Sequence, residues 1–274
     1  MKLAFTTLGC PRWDVAAIVA RAVEYGFDGV DFRGYLGEIN IYKLAEFTTQ
    51  AKETARKFAD AGLKVTCTSS SARLMAGAES LDEVRAYARM CEAFGAPYLR
   101  VFGGGIGTAP REQAVEAAAK NCRAMAEVAK DHGVMLLVET HDEWLDSSLM
   151  RSLMDAVGSP AAAVLWDVHH PYRLIGEAPA TTWKNLGPWI RNTHWKDSAQ
   201  AKDAPGGHRL CLMGEGDIPL YRIFETLKKG GYDGWLTLEW EKHWHPELAE
   251  PEVAYPQYVQ FIRKLMRRPQ RRKG

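Results

Sequence analysis

What most restricts this chain is an eightfold alternation of short β-branched or aromatic runs with longer stretches of helical periodicity. Strands are predicted over residues 3–7, 29–33, 63–69, 98–102, 134–140, 163–168, 190–196 and 235–241. The helices predicted to follow them span 13–25, 42–61, 81–94, 111–131, 145–157, 181–186, 219–229 and 251–266. In the first helix Val15, Ile18, Val19, Ala22 and Val23 recur at helical spacing behind a capping Asp14, and Gly26 ends the run. Eight units in 274 residues average about 34 each, the size of a βαβ repeat. Strict alternation calls for a parallel sheet in an α/β protein, and eight units close into a (β/α)8 (TIM) barrel.

The rival architecture, an open doubly wound sheet, is disfavoured by the first strand–helix turn. It reads LGCPRW and lacks a glycine fingerprint. Glycines 103–105, after the fourth strand, match neither GxGxxG nor GKS/T and read as a tight loop. No linker or shift of composition divides the chain, so one barrel domain is expected over 1–266 with a basic tail over 267–274. At 46% hydrophobic and 25% charged residues the composition is that of an ordinary globular protein. No apolar run approaches the roughly 18 residues of a membrane span. Of 35 basic and 34 acidic residues, seven bases and no acids fall in 263–274, leaving the body at 28 against 34, or −6. Such a body binds a phosphate backbone poorly, so no nucleic-acid partner is expected and the basic end reads as a solvated terminus. Cys10, Cys67, Cys91, Cys122 and Cys211 form no CxxC pair, and the N-terminal residues turn polar too soon for a secretory signal. A reducing, cytoplasmic setting is expected.

In a barrel the reactive side chains project from the C-terminal strand ends. Four of these ends carry unusual polar residues. Glu139 and His141 close LLVETH; Asp167, His169 and His170 lie in VLWDVHHP. His194, Lys196 and Asp197 lie in RNTHWKD, and Glu239 and Glu241 in WLTLEWEKHWHP. Side chains alternate between the faces of a strand. With Leu136, Val138, Val164, Trp166, Trp195, Leu236 and Leu238 turned out toward helices, Glu139, Asp167, His194 and Glu239 face inward at one level. His141, His169, Lys196 and Glu241 form a second tier. Three carboxylates in a barrel mouth repel one another unless a cation neutralises them. Three carboxylates and an imidazole, without a thiolate, favour one divalent metal ion: Mn²⁺, Mg²⁺ or Co²⁺, with Zn²⁺ also compatible. Glu239 and Glu241 share inward parity, and Glu239 is the expected ligand because it lies level with the other three.

These strand ends resemble those of the sugar phosphate isomerase/epimerase superfamily of xylose isomerase-like barrels. That group includes ketose 3-epimerases, hydroxypyruvate isomerase, inosose dehydratase, 3-dehydroshikimate dehydratase and, more distantly, endonuclease IV. The likeness runs from GFDGVDFR to LTLEWE. It implies a single metal held by Glu139, Asp167, His194 and Glu239, a DxxH element at Asp167 and His170, an HxKD element at His194, Lys196 and Asp197, and a GEGD turn at 214–217. The implied activity is divalent-metal-dependent isomerisation or epimerisation of a sugar or sugar phosphate by proton abstraction next to a carbonyl, through an enediolate. The alternative is a dehydratase acting on an inosose or dehydroshikimate-like ketone.

Within that mechanism Glu139 and Glu239 are the expected catalytic acid/base pair, one removing the proton and the other returning it. The DxxH histidine, His170, is an expected substrate ligand, with His169 equally open to that role. Lys196 suits either a substrate oxyanion or an ion pair with Asp197. Arg33, with inward parity at the end of the second strand, His208, Glu215 and Glu241 complete the expected substrate contacts. Asp217 reads as a helix cap ahead of Pro219. A trinuclear zinc nuclease is disfavoured, since the second strand ends in Arg33 and the third, KVTCTSSS, has no histidine. Intact Glu139 and Glu239 also speak against a barrel that only binds. The expected partner is a small carbohydrate, with self-association into a homo-oligomer left open.

Overall fold

The computed structural model describes residues 1–267. Its strands are β1 (Lys2–Thr6), β2 (Gly29–Phe32), β3 (Lys64–Arg73), β4 (Tyr98–Phe102), β5 (Met135–Glu139), β6 (Ala162–Asp167), β7 (Ile190–Trp195), β8 (Asp197–Gln200), β9 (His208–Cys211) and β10 (Trp235–Leu238). Strands β1 to β7 and β10 close into a barrel in chain order, with β10 pairing to both β7 and β1. Every barrel pairing is parallel. The helices are α1 (Val15–Tyr25), α2 (Ala51–Asp60), α3 (Leu81–Phe94), α4 (Arg111–Asp131), α5 (Ser147–Val157), α6 (His170–Ile175), α7 (Pro179–Leu186), α8 (Leu220–Lys229) and α9 (Pro251–Arg267). The fold is the (β/α)8 barrel expected from the alternation. No helix among the described residues is long and apolar enough to cross a membrane.

Local chemistry sets the element ends. Asp14 accepts the amide of Ala17 at 2.8 Å to start α1, and Gly26 closes the helix at φ +81°, a left-handed conformation that costs glycine little. Outward strand residues such as Leu136, Val138, Trp166, Trp195 and Leu236 are buried in the main apolar layer beneath the helices. Each fully buried aliphatic side chain there contributes about 1.5–3 kcal/mol. Inside the barrel, Leu137, Ala163 and Leu165 form a small separate plug against Tyr98 and Met135. The next inward residues along those strands, Glu139 and Asp167, stand at the C-terminal mouth.

Several segments depart from expectation. The single helix predicted over 42–61 is two short 3-10 turns, Ile41–Lys43 and Ala45–Phe47, followed by α2. The chain breaks at Thr48 (φ −125°, ψ −93°), whose hydroxyl donates to the carbonyl of Leu44 at 2.8 Å, competing with the helical ladder. β3 runs to Arg73 rather than stopping at Ser69, because its serines bond to neighbouring strands: Ser69 to Asp31 and Ser70 to the carbonyl of Arg100. The sixth unit contains two helices, α6 and α7, separated at Gly176. The segment between the predicted seventh strand and its helix, for which the sequence predicts no regular element, holds the antiparallel β8–β9 hairpin. α9 is described as far as Arg267, and the remainder of the expected basic tail lies outside the described residues.

Asp217 is not a helix cap. α8 begins after Pro219 without a side-chain cap, and Asp217 instead pairs with Arg173 and accepts the amide of Gln200. The GEGD turn wraps around the carboxylate of Asp197. Its oxygens accept the amides of Gly214 at 2.8 Å, Gly216 at 3.1 Å and Ile218 at 3.3 Å. A Cβ on Gly216 would lie 2.2 Å from Asp197 Oδ1 and 2.4 Å from the carbonyl oxygen of Ser198, so the turn requires glycine there. Gly216→Ala is therefore expected to cost about 1–3 kcal/mol of stability through overpacking. Urea denaturation checks this, and an unchanged midpoint would show that the turn opens freely.

Candidate active site

Strands β5, β6 and β7, together with the residue following β10, bring Glu139, Asp167, His194 and Glu239 to one point. One ligand atom from each lies within 4.8 Å of the others, and all four residues are buried. The amide of Glu239 donates to the carbonyl of Trp195 at 2.9 Å, which prolongs the strand pairing by one residue. Of the two glutamates with inward parity there, Glu239 joins this group. Glu241 stands on the far side of Lys196, with Oε1 2.7 Å from the ammonium.

His194 is the hub. Its Nδ1 lies 3.2 Å from Glu139 Oε1 and 3.3 Å from Glu239 Oε1, while Nε2 lies 3.0 Å from Asp31 Oδ2. Asp31, at the end of β2, also accepts the Ser69 hydroxyl at 2.9 Å. A carboxylate on the remote ring nitrogen fixes the imidazole and turns Nδ1 toward the other carboxylates, the arrangement found behind histidine metal ligands. Asp167 is split between two tasks. Oδ1 accepts the amides of His169 and His170 at 2.8 and 3.0 Å, and Oδ2 lies 2.9 Å from Lys196 Nζ. Lys196 also pairs with Glu239. Arg100, inward on β4, places Nε 3.2 Å from Glu139 Oε2 and donates from Nη1 to the carbonyl of Ser70 at 2.9 Å.

Protonation follows from burial working against these charges. Burial is the largest influence on Glu139 and would raise it, but Arg100 and His194 together outweigh it and hold the carboxyl down at about 2. Burial and the neighbouring Glu239 and Glu139 carboxylates push Asp167 up to about 6 against the pull of Lys196. For Lys196 burial favours the neutral form, yet Asp167, Glu239 and Glu241 hold the ammonium well above its ordinary range. His194 behaves alike, its burial overridden by Glu239, Asp31 and Glu139. His170 is lowered to about 3, first by burial and then by Lys196, so it is a neutral ring. Its Nδ1 lies 3.2 Å from the carbonyl of Thr140; donation there leaves Nε2 as an acceptor.

The set fits a divalent ion. Glu139 Oε2 and Asp167 Oδ2 are buried oxygens that accept no hydrogen bond of ordinary geometry. Three carboxylates with one imidazole are a hard oxygen–nitrogen donor set. Beside it opens a cavity of about 710 Å³ whose lining includes His169, His170, Lys196, His208, Glu215 and Glu241. His169 donates to or accepts from the Ser198 hydroxyl at 2.8 Å, and its ring centroid is 5.1 Å from that of His208 on β9. Arg33 lies apart from that lining, buried at the end of β2 with Nη1 3.1 Å from the Ser71 hydroxyl. A concavity of equal volume at the opposite barrel end, lined by residues such as Trp183, Arg191 and Tyr232, contains no metal-ligating cluster among the described residues.

Among the two readings of Lys196, the pair with Asp197 is not formed. Lys196 faces the three carboxylates, while Asp197 belongs to the GEGD turn. Asp31 and Arg100 are the charged residues of the site that sequence reasoning left without a role. Arg100 carried a usable signal, since YLRVF places a charge on the inward face between Tyr98 and Phe102.

Residues 19–265 match the family described as xylose isomerase-like TIM barrel, and the chain belongs to that family. A 3-dehydroshikimate dehydratase of Bacillus anthracis is 24% identical over 254 residues, covering 86% of this chain and 89% of that protein. The crystal structure of a probable 3-DHS dehydratase involved in petrobactin synthesis from the same organism superposes with TM-score 0.77 at 21% identity, covering 96% and 99% of the two chains. A 3-keto-D-glucoside 4-epimerase from E. coli gives TM-score 0.75 at 14% identity over 96% and 99%. A structure of the IOLI protein with a binding zinc atom gives 0.75 at 16% identity over 97% and 96%.

The ion pairs generate a test in the metal-free protein. Lys196→Met leaves Asp167 and Glu239 buried beside each other without their shared cation, and the expected loss is about 3–5 kcal/mol. Urea denaturation in EDTA measures it; stability equal to wild type would mean that Lys196 is not their counter-ion.

Proposed function

We propose that this chain is a divalent-metal-dependent isomerase or epimerase of a carbohydrate, acting by proton abstraction next to a carbonyl. The observation that carries this reading is the convergence of Glu139, Asp167, His194 and Glu239 at the barrel mouth, with ligand atoms within 4.8 Å of one another. These residues would hold one ion. When bound, it would polarise a carbonyl and its neighbouring hydroxyl, acidify the intervening C–H bond and stabilise an enediolate.

The chain's own side chains would do the rest. Glu139, kept ionised beside Arg100, is a base in the correct state at neutral pH. Glu239, in contact with Lys196, is the second carboxyl group and is itself held ionised. It would return a proton drawn from the adjoining Lys196 ammonium, which regains one from solvent, while Glu139 releases the abstracted proton to solvent. Return to the opposite face of the same carbon gives an epimer; return to the adjacent carbon gives the aldose–ketose isomer. Lys196 sits between Asp167, Glu239 and Glu241 and would steady negative charge that builds on a substrate oxygen. His170, with Nε2 as acceptor, together with His169, His208, Glu215 and Glu241, would bind substrate hydroxyls in the adjoining cavity.

A second reading, a dehydratase, is favoured by the match over 86% of the chain to a protein named 3-dehydroshikimate dehydratase. Proton abstraction is common to both; elimination follows when a leaving hydroxyl stands β to the enolate. The test is a screen of ketoses, ketose phosphates and cyclic polyol ketones in D₂O with Mn²⁺. Deuterium incorporated at one carbon with no change in composition supports the isomerase, and loss of water supports the dehydratase. Absence of exchange across the panel would overturn proton abstraction as the chemistry.

Two outcomes are expected once a substrate is found. Glu139→Gln and Glu239→Gln should each lower turnover by about 10²–10⁴-fold while the circular dichroism spectrum is retained. Near-wild-type rates in both would remove the acid/base assignment. Asp31→Asn should weaken Mn²⁺ affinity by about 10–100-fold by loosening His194, read by titration calorimetry. Unchanged affinity would show that the Asp31–His194 contact does not support the ligand.

A further inference from the structure

The cations of this protein are not equally provided for. Among the described residues five lysine or arginine side chains are deeply buried: Arg33, Arg100, Lys196, Lys242 and Arg173. Arg100 faces Glu139, and Lys196 faces three carboxylates. Lys242 pairs with Glu250 and donates to the carbonyls of Pro246 and Leu248. Arg173 pairs with Asp217 and donates to the carbonyl and hydroxyl of Ser198. Arg33 is different. It is 7% exposed, its one side-chain hydrogen bond goes to the neutral hydroxyl of Ser71, and no carboxylate among the described residues pairs with it within 4.0 Å. Its nearest charged company includes another cation, Arg100; both guanidinium groups lie against the Phe102 ring, at 5.9 and 4.0 Å from its centroid.

A guanidinium stripped of water and left without a counter-charge is costly, and a chain keeps one where a ligand supplies the missing anion. Arg33 stands at the end of β2, beside Asp31 in sequence, and feels the charges of Glu139 and Glu239. It is therefore at the mouth of the barrel, apart from the residues of the cavity around His169, His208 and Glu215. We propose that Arg33 is a specificity-determining residue that binds a carboxylate carried by the substrate, so that the substrate is an acidic polyol ketone rather than a neutral sugar.

This rests on the reading of the barrel mouth as a substrate site. One guanidinium fork matches one planar carboxylate in both charge and geometry. A phosphate monoester carries closer to two charges, and the neighbouring Arg100 is already committed to Glu139 and the carbonyl of Ser70. Burial, together with Arg100, lowers the guanidinium to about 10, which still leaves it charged at neutral pH.

The experiment compares the Mn²⁺-loaded wild type, Arg33→Met and Arg33→Lys by titration calorimetry and thermal shift, using quinate, its uncharged methyl ester, acetate and inorganic phosphate at matched ionic strength. Quinate or acetate should bind wild type about tenfold or more tightly than Arg33→Met, with Arg33→Lys between them, while the ester does not distinguish the three. Without added anion, Arg33→Met should melt no lower than wild type, because an unpaired buried charge has been removed; an arginine kept for packing would give the opposite. Carboxylate binding that is equal in wild type and Arg33→Met, or absent from wild type, overturns the proposal. Arg33-dependent binding of phosphate in preference to both carboxylates overturns the assignment of the anion. Mn²⁺ affinity, measured on the same samples, keeps the two readings apart. Arg33-dependent carboxylate binding in a protein that holds no Mn²⁺ would sink the metal-dependent function and leave the anion site standing. Tight Mn²⁺ without Arg33 dependence would do the reverse.

Discussion

The barrel mouth is organised around one electrostatic constraint: Asp31, Glu139, Asp167 and Glu239 are all buried, the first two and Glu239 around the His194 imidazole and Asp167 and Glu239 around the Lys196 ammonium. Buried carboxylates at such spacing repel strongly unless positive charge is interleaved with them. Arg100 approaches from β4, His194 from β7 and Lys196 from the residue following β7. These come from different strands, so the charge balance exists only when the barrel is closed. Closure and the assembly of the site are one event. Two of the carboxylate oxygens, Glu139 Oε2 and Asp167 Oδ2, face Arg100 and Lys196 as ion pairs without a hydrogen bond of normal geometry.

The short motifs acquire separate meanings in this frame. In HxKD, His194 faces inward and Lys196 joins the carboxylates, but Asp197 turns away to gather the amides of the GEGD turn. Residues that face the carboxylate cluster and residues that anchor the turn are thus interleaved within four positions. The same division occurs inside one side chain at Asp167, where one oxygen holds the backbone entering α6 and the other faces Lys196. The β8–β9 hairpin starts at Asp197 and carries His208 to His169. A turn that anchors Asp197 therefore also fixes one wall of the cavity.

What could be read from the sequence was whatever depends on local period. Eight alternating units give the barrel, and strand parity separates Glu139 from Val138 and Asp167 from Trp166 without any tertiary information. Parity could not distinguish Glu239 from Glu241, because both satisfy it; their different neighbours arise from the barrel's depth at that strand. Asp31 shares the inward parity of Arg33 two residues on, but its partner His194 is 163 positions away, and no local pattern encodes that contact. The break at Thr48 and the hairpin after β7 were missed for a related reason. Each is stabilised by particular hydrogen bonds, at the Thr48 hydroxyl and around Asp197, rather than by hydrophobic period.

In the proposed reading, chemistry and selectivity occupy different parts of the barrel. Proton abstraction needs the ligand set from β5, β6, β7 and β10, and nothing in that set depends on the remainder of the substrate. An isomerase, an epimerase and a dehydratase can share it, because all three begin with the same broken C–H bond. What differs is the group presented opposite the reacting carbon and the means of holding the rest of the molecule. Those contacts fall to the β2 end, where Arg33 stands without a counter-ion, and to the histidines lining the cavity beside Lys196. Arg33 forms no ion pair with any of the four carboxylates and feels Glu139 and Glu239 only at longer range, so in this reading the rim can vary while the ion pairs of the proton-transfer floor stay in place.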